Sequence, residues 1–224
     1  MKRTTLPVAV LISGTGSNLA ALIRAQEASR LDLDFRAVIS NRPEAPGLDH
    51  ARKAGIPTHV MTVKEAGSRA DQEKQVAQRL HESGAELIIL AGYMLILGAT
   101  LVNQFKGRMI NLHPSLLPMY PGLDTYRQVL EAGDGEHGSS IHFVTPELDG
   151  GPVISQVRIP VLADDTPAEL AQRLGPNEHR LVISTVELFN DRRVKLLADS
   201  VMIDGKPLQE PLHLNVDSQF DTQS

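Results

Sequence analysis

The residues best suited to chemistry are an asparagine and a histidine two positions apart in the run Asn111-Leu112-His113-Pro114-Ser115-Leu116-Leu117-Pro118. An Asn amide donates to a carbonyl oxygen, and an imidazolium stabilises negative charge that develops on it. The pair suits acyl transfer. The apolar Met109-Ile110 precedes the run and Met119-Tyr120-Pro121-Gly122 follows it. Pro114, Pro118 and Pro121 forbid a regular helix or a central strand across this stretch. The expectation is a stiff loop at a strand end, which is where open α/β sheets bind ligands. The plain alternative is a turn whose His only serves the backbone.

Asp149, in Leu148-Asp149-Gly150-Gly151-Pro152, is by itself an ordinary turn residue. If that turn folds over the 111–118 loop, its carboxylate raises the pKa of His113 from about 6.5 and can position a water for proton transfer. Ser13-Gly14-Thr15-Gly16-Ser17-Asn18 follows the first strand and opens the first helix. Glycines there let backbone amides approach an anion, and the helix N-terminus adds positive potential. A dinucleotide fits less well. Leu19 stands where a G-x-G-x-x-G fingerprint needs its third glycine, and Ser40-Asn41-Arg42 offers no acid for a ribose diol. A single phosphomonoester is the expected ligand, and with no Walker lysine nucleotide hydrolysis is not. His137 and His142 share no helical face and have no acidic cluster beside them, so no metal is expected. No G-x-S-x-G elbow exists to make Ser115 and His113 a hydrolase pair. Tyr93 to Leu97 reads either as core or as a slot for a flat aromatic ligand.

These residues need a scaffold, and the first half supplies one. Apolar runs at Val8 to Ile12, Phe35 to Ser40, Thr58 to Met61 and Leu87 to Ala91 alternate with helical stretches at Leu19 to Ala28, Leu48 to Lys53 and Asp71 to Glu82. That alternation predicts βαβ units and a mostly parallel sheet with helices on both faces. Beyond the 111–122 loop the pattern changes. A helix is expected from Thr125 to Ala132, then a turn at Gly133 to Glu136. Strands at Ile141 to Val144 and Val153 to Val157 are joined tightly enough to pair antiparallel. Asp165-Thr166-Pro167 with Glu169 reads as a capping box opening a long helix to Phe189, with a break near Gly175-Pro176. Asp204-Gly205 suggests a terminal hairpin. One domain, 1–216, is expected, with a polar tail at 217–224.

Composition narrows the class. At 224 residues the chain can bury a full core without covalent staples, and with no Cys it has no disulfides and no thiolate chemistry. A formal charge of −5, no dense Lys/Arg block and no Trp argue against nucleic acid as a partner. No run approaches the ~20 apolar residues of a membrane span. A cytoplasmic protein is expected.

Taken together, these segments resemble the phosphoribosylglycinamide formyltransferases, folate-dependent members of the formyltransferase family that serve purine biosynthesis. The likeness runs from about Val8 to Phe189. It rests on Ser13 to Asn18, Ala91-Gly92-Tyr93-Met94, Asn111 to Pro118, Tyr120-Pro121-Gly122, Glu136-His137-Gly138, Val144-Thr145 and Glu147 to Ile154. The resemblance implies a Rossmann-like formyltransferase fold with an antiparallel C-terminal extension. It implies transfer of the formyl group of 10-formyltetrahydrofolate, as co-substrate, to the amine of phosphoribosylglycinamide by direct attack through a tetrahedral intermediate. Asn111 would hold the formyl oxygen. His113 would act protonated, and Asp149 would raise its pKa and move protons through water. Gly16, Ser17 and Asn18 would bind the phosphate, and Glu178 would lie near the amine and ribose. Met94, Leu95, Ile96, Leu97, Asn111 and Val144 would line the folate pocket, with Arg69 at the glutamate tail. The state could be monomer or homodimer.

The chain departs from the family pattern at Leu95, where Arg is common, at Asp124 and Tyr126, where His is common, and across Gly175-Pro176-Asn177 and Leu181-Val182-Ile183. The related formyltetrahydrofolate hydrolases usually add an N-terminal domain. Methionyl-tRNA formyltransferases usually add a C-terminal one and lack the Ser17-Asn18 loop. An inactive folate or phosphosugar binder is the remaining alternative.

Overall fold

Strand β1 (Leu6–Ile12) shows how the sheet is built. Val8, Val10 and Ile12 enter one apolar cluster, while Ala9 and Leu11 enter a second on the opposite face. A strand covered on both sides must be apolar throughout, as this one is. The computed structural model describes residues 5–215, 219 and 220. After β1 come α1 (Ser17–Glu27), β2 (Leu33–Ser40), α2 (Gly47–Lys53), β3 (Thr58–Val60), α3 (Val63–Ala66) and α4 (Arg69–Ser83). Then follow β4 (Leu87–Leu90), α5 (Ala99–Gln104), β5 (Met109–His113), α6 (Thr125–Ala132), β6 (Glu136–Phe143) and β7 (Val153–Pro160). The long α7 (Pro167–Asn190) leads to β8 (Val194–Leu197), β9 (Ser200–Ile203), β10 (Lys206–Pro207) and β11 (Leu212–His213).

The main sheet has eight strands in the order β11-β7-β6-β5-β4-β1-β2-β3, and β6 alone runs against the rest. The chain crosses from one half of the sheet to the other between β1 and β4, which leaves a crevice above their C-terminal ends. Leu170, Leu174, Leu181 and Val182 of α7 fill the cluster on one face, and Val76 and Leu80 of α4 fill the cluster on the other. The second cluster stops at Met109 of β5, with only Val144 packed against it from beyond. Past that point the same face of the sheet carries Asn111, His113 and His142 instead of apolar side chains.

Several expected features are present. The antiparallel pairing of β6 with β7 is present, as is the capping box of Thr166 and Glu169 with Pro167 in the first turn. Asp204 and Gly205 both have positive φ, 52° and 81°, and join β9 to β10 in a two-residue turn.

Three expectations need correction. Asn111 and His113 sit on β5 itself rather than on the loop beyond it. Strand β6 begins at Glu136, so the turn expected there is shorter. Helix α7 runs unbroken through Gly175 and Pro176. An internal proline costs about 3 kcal/mol, but burying each of Leu174, Leu181 and Val182 returns roughly 1.5–3 kcal/mol, and all three are fully buried. Pro176 and Gln172, whose carbonyl loses its partner, both face solvent, where water replaces the missing donor. Most of the tail expected at 217–224 lies outside the described residues; within it Phe220 bridges to Leu214 and packs on the core.

Candidate active site

Alternation along β5 fixes the first two side chains. Ile110 and Leu112 point into the core, so Asn111 and His113 share the opposite face. Antiparallel pairing sets His142 directly across from Asn111. A β-bulge follows between Ile141 and His142, where β6 meets β7. Bulges bend a strand and re-aim its side chains. The chain then turns through 144–152 and brings Asp149 back over this face. Gly151 makes the turn possible: a Cβ there would stand 1.8 Å from the Phe143 carbonyl oxygen.

The four polar groups touch. Asp149 Oδ2 lies 3.4 Å from His113 Nδ1 and accepts the Gly122 amide at 2.9 Å. Asp149 Oδ1 accepts from Asn111 Nδ2 at 3.3 Å and lies 3.5 Å from His142 Nε2. Asn111 Nδ2 also reaches His142 Nε2 at 3.1 Å. On its far side His113 Nε2 donates to the Tyr120 carbonyl at 2.9 Å. Both nitrogens of His113 therefore face acceptors, a setting that only the doubly protonated ring satisfies in full.

Burial works the other way. It pushes the His113 pKa below its ordinary value, against the upward pull of the Tyr120 carbonyl and the Asp149 carboxylate. Asp149 thus raises the pKa of its partner as expected, but desolvation outweighs it. Burial also opposes ionisation of Asp149, yet His142, the Gly122 amide and His113 together hold its carboxyl below the usual range.

These groups open on a cavity of about 550 Å³ at the ends of β4 and β5. Met94, Leu95, Ile96 and Leu97 form one wall, and Val144 and Leu148 face them. Met94, Ile96, Leu123 and Leu148 remain exposed although large and apolar, so the mouth suits a flat, partly apolar ligand. At the other end the cavity reaches Asn18 and Glu178. Burial raises the Glu178 pKa, while hydrogen bonds from Ser139, at 2.7 Å, and from Asn18 pull it back.

A neighbouring pocket of about 270 Å³ is walled by the whole of Ser13 to Asn18, with Arg42, Ala91, Gly92 and Met94. Gly16 caps α1 in the left-handed region, φ 70°, and no side chain caps the helix. The first-turn amides are left for an anion. The loop is held from behind by α2: Gly47 donates to the Gly14 carbonyl at 3.0 Å, and a Cβ on Gly16 would stand 2.5 Å from Gly47 Cα.

Of the residues singled out from sequence, Asn111, His113, Asp149, Asn18, Glu178, Val144 and Met94 to Leu97 line the larger cavity. Gly16 and Ser17 line the smaller. Arg69 lines neither: it pairs with Glu73 at 2.9 Å and binds the Ile96 carbonyl, bracing the 94–97 wall from outside. His142 and Arg42 are the residues that sequence reasoning missed. In the sequence His142 is considered only as a metal ligand, and its signal is a polar residue alternating with Ile141 and Phe143. Arg42 marks in the sequence only the lack of an acid after β2, yet it lines the loop pocket and makes no ion pair among the described residues.

The chain is similar to known proteins. The formyl transferase family model matches residues 6–186. Phosphoribosylglycinamide formyltransferase of Escherichia coli is 43% identical over 90% of this chain and 95% of its own. That of Haemophilus influenzae is 36% identical over 93% and 98%. The structure of the phosphoribosylglycinamide formyltransferase of Coxiella burnetii, in complex with CHES, superposes with a TM-score of 0.87 at 44% identity, covering 92% of this chain and 96% of the other. With a matching family model over most of its length and relatives that it spans almost completely, the chain belongs to the formyl transferase family.

Proposed function

We propose that the protein transfers the formyl group of 10-formyltetrahydrofolate to the amine of phosphoribosylglycinamide. The observation that carries this reading is the continuity of three compartments: a phosphate-sized loop pocket, a polar centre of Asn111, His113, His142 and Asp149, and an apolar-walled cavity. Each matches one part of the reacting pair. The amides of Gly16, Ser17 and Asn18 hold the phosphate, and Glu178 meets the ribose and amine. Met94 to Leu97, Asn111 and Val144 hold the folate.

The amine then attacks the formyl carbon. A C–N bond forms, the bond from that carbon to the folate nitrogen breaks, and one amine proton ends on that nitrogen. Asn111 donates to the formyl oxygen while it is negative, and His113, its two N–H groups held by Asp149 and the Tyr120 carbonyl, stabilises that oxygen through the charge of its ring. Developing charge on that oxygen offsets the downward push of burial on His113.

The test is release of tetrahydrofolate from 10-formyltetrahydrofolate with and without phosphoribosylglycinamide. Release that depends on the amine supports the transferase. Release at a comparable rate without it assigns a hydrolase, and none in either mixture assigns a binder.

A further inference from the structure

We infer that His142 is a positioning residue that fixes which end of the Asn111 amide faces the reacting oxygen. The inference deepens the formyl-transfer reading and rests on it. His142 is 2% exposed, so its ring makes its contacts within the protein. Its Nδ1 lies 3.0 Å from the Phe143 carbonyl oxygen, an atom that only accepts. That nitrogen must carry a hydrogen, so in the neutral ring Nε2 is left with a lone pair alone; Asp149 Oδ1, 3.5 Å from Nε2, takes a hydrogen from it only when the ring is charged. Asn111 Nδ2 stands 3.1 Å from this Nε2 and 3.3 Å from Asp149 Oδ1. Both contacts require the NH₂ end of the amide. Rotated by half a turn, Asn111 would set its carbonyl oxygen against a lone pair and a carboxylate.

Asp149 alone is a weak guide, because its contact is long. His142 provides the closer one. With the ring in place, the Asn111 hydrogens lie on the side of Asp149 and His113, where a donor to the formyl oxygen is needed. An arriving oxygen replaces the long Asp149 contact and leaves the His142 contact intact. Without the ring only the long Asp149 contact selects the NH₂ end, so the amide turns over more readily, and the wrong end presents an oxygen to an oxyanion.

The experiment compares His142→Leu and His142→Gln in the wild-type and Asn111→Ala backgrounds. His142→Leu is expected to lower kcat about 10–100-fold, less than the roughly 100–1000-fold cost of removing an oxyanion donor outright because Asp149 still favours the same end, with KM within about twofold. His142→Gln, whose Oε1 accepts, regains most of that loss. In the Asn111→Ala background His142→Leu costs less than about twofold more, since the residue it positions is gone. A full loss in that background overturns the inference and assigns His142 to Asp149 or His113 instead.

Side-chain amide exchange at Asn111, followed by NMR in the ligand-free protein, reads the same contact without activity. It should speed about tenfold or more in His142→Leu, and unchanged exchange overturns the assignment. A wild-type protein that transfers no formyl group rejects the functional reading, while the exchange rate still judges the orientation of the amide.

Discussion

The Oδ2 atom of Asp149 lies 3.4 Å from His113 Nδ1 and at the same time accepts the amide of Gly122, which belongs to the loop ahead of α6. Asp149→Asn keeps the size of the side chain and removes its charge. The His113 pKa, already held low by burial, then falls further. If His113 works charged, the decline of kcat on the basic side moves down by about one pH unit or more, and kcat near neutrality drops about a hundredfold. A pH–rate profile of the variant that overlays the wild type would remove Asp149 from this role.

The back-to-back contact of Gly16 with Gly47 predicts a selective defect. Ala at either position places a methyl against backbone, and at Gly16 also in the left-handed region. Each substitution should cost about 1–3 kcal/mol of stability and raise KM for phosphoribosylglycinamide about tenfold while leaving KM for the folate nearly unchanged. Chemical denaturation and paired saturation curves check both halves. Equal effects on the two KM values would place the damage elsewhere.

Arg42 should act by charge alone. Its side chain is exposed at the loop pocket. Arg42→Ala is expected to raise KM for the phosphorylated substrate about three- to tenfold at low ionic strength, with kcat unchanged. The difference should shrink as salt is added. A salt-independent effect would mean that Arg42 shapes the loop rather than attracting the anion.

His137 links stability to pH. It is 1% exposed, its Nε2 has no hydrogen-bond partner among the described residues, and its ring meets Tyr126 edge-on at 5.1 Å. Burial above all lowers its pKa from 6.5 to about 4, with His113 adding to the shift and Asp134 opposing it. The unfolded chain therefore takes up this proton near pH 6.5 and the folded one only near 4. The contribution is full above that window and falls as pH drops through it, by up to about 3 kcal/mol. Unfolding free energies at pH 7 and 4.5 should diverge less in His137→Phe than in the wild type. Equal divergence would show that His137 is not held neutral.

Legibility in the sequence followed range. Asn111 and His113 stood out because prolines crowd the segment that follows them. The loop at Ser13 to Asn18 stood out because glycine has few other reasons to recur between a strand and a helix. Glu178 is legible only through family likeness, since Pro176, two residues earlier, suggests a broken helix; packing of α7 against the sheet outweighs that proline, and Glu178 lines the cavity. His142 could not be read locally at all. It reaches Asn111 through the pairing of β5 with β6, a contact between residues 31 positions apart. Arg69 could be matched only by position: the sequence does not show that its guanidinium meets the Ile96 carbonyl, 27 positions away.

The register of β6 ties catalysis to folding. Ile141 and Phe143 are core residues, and His142 between them belongs to the polar centre. Sliding this strand by one position would send His142 into the apolar layer beneath α7 and push Phe143 out among Asn111, His113 and Asp149. The misassembled sheet would bury an imidazole where no partner waits, so the core itself discards any chain with a scrambled centre. Molecules of this protein should divide into folded and competent or unfolded and inert, and specific activity should report how many have folded rather than how well each one works.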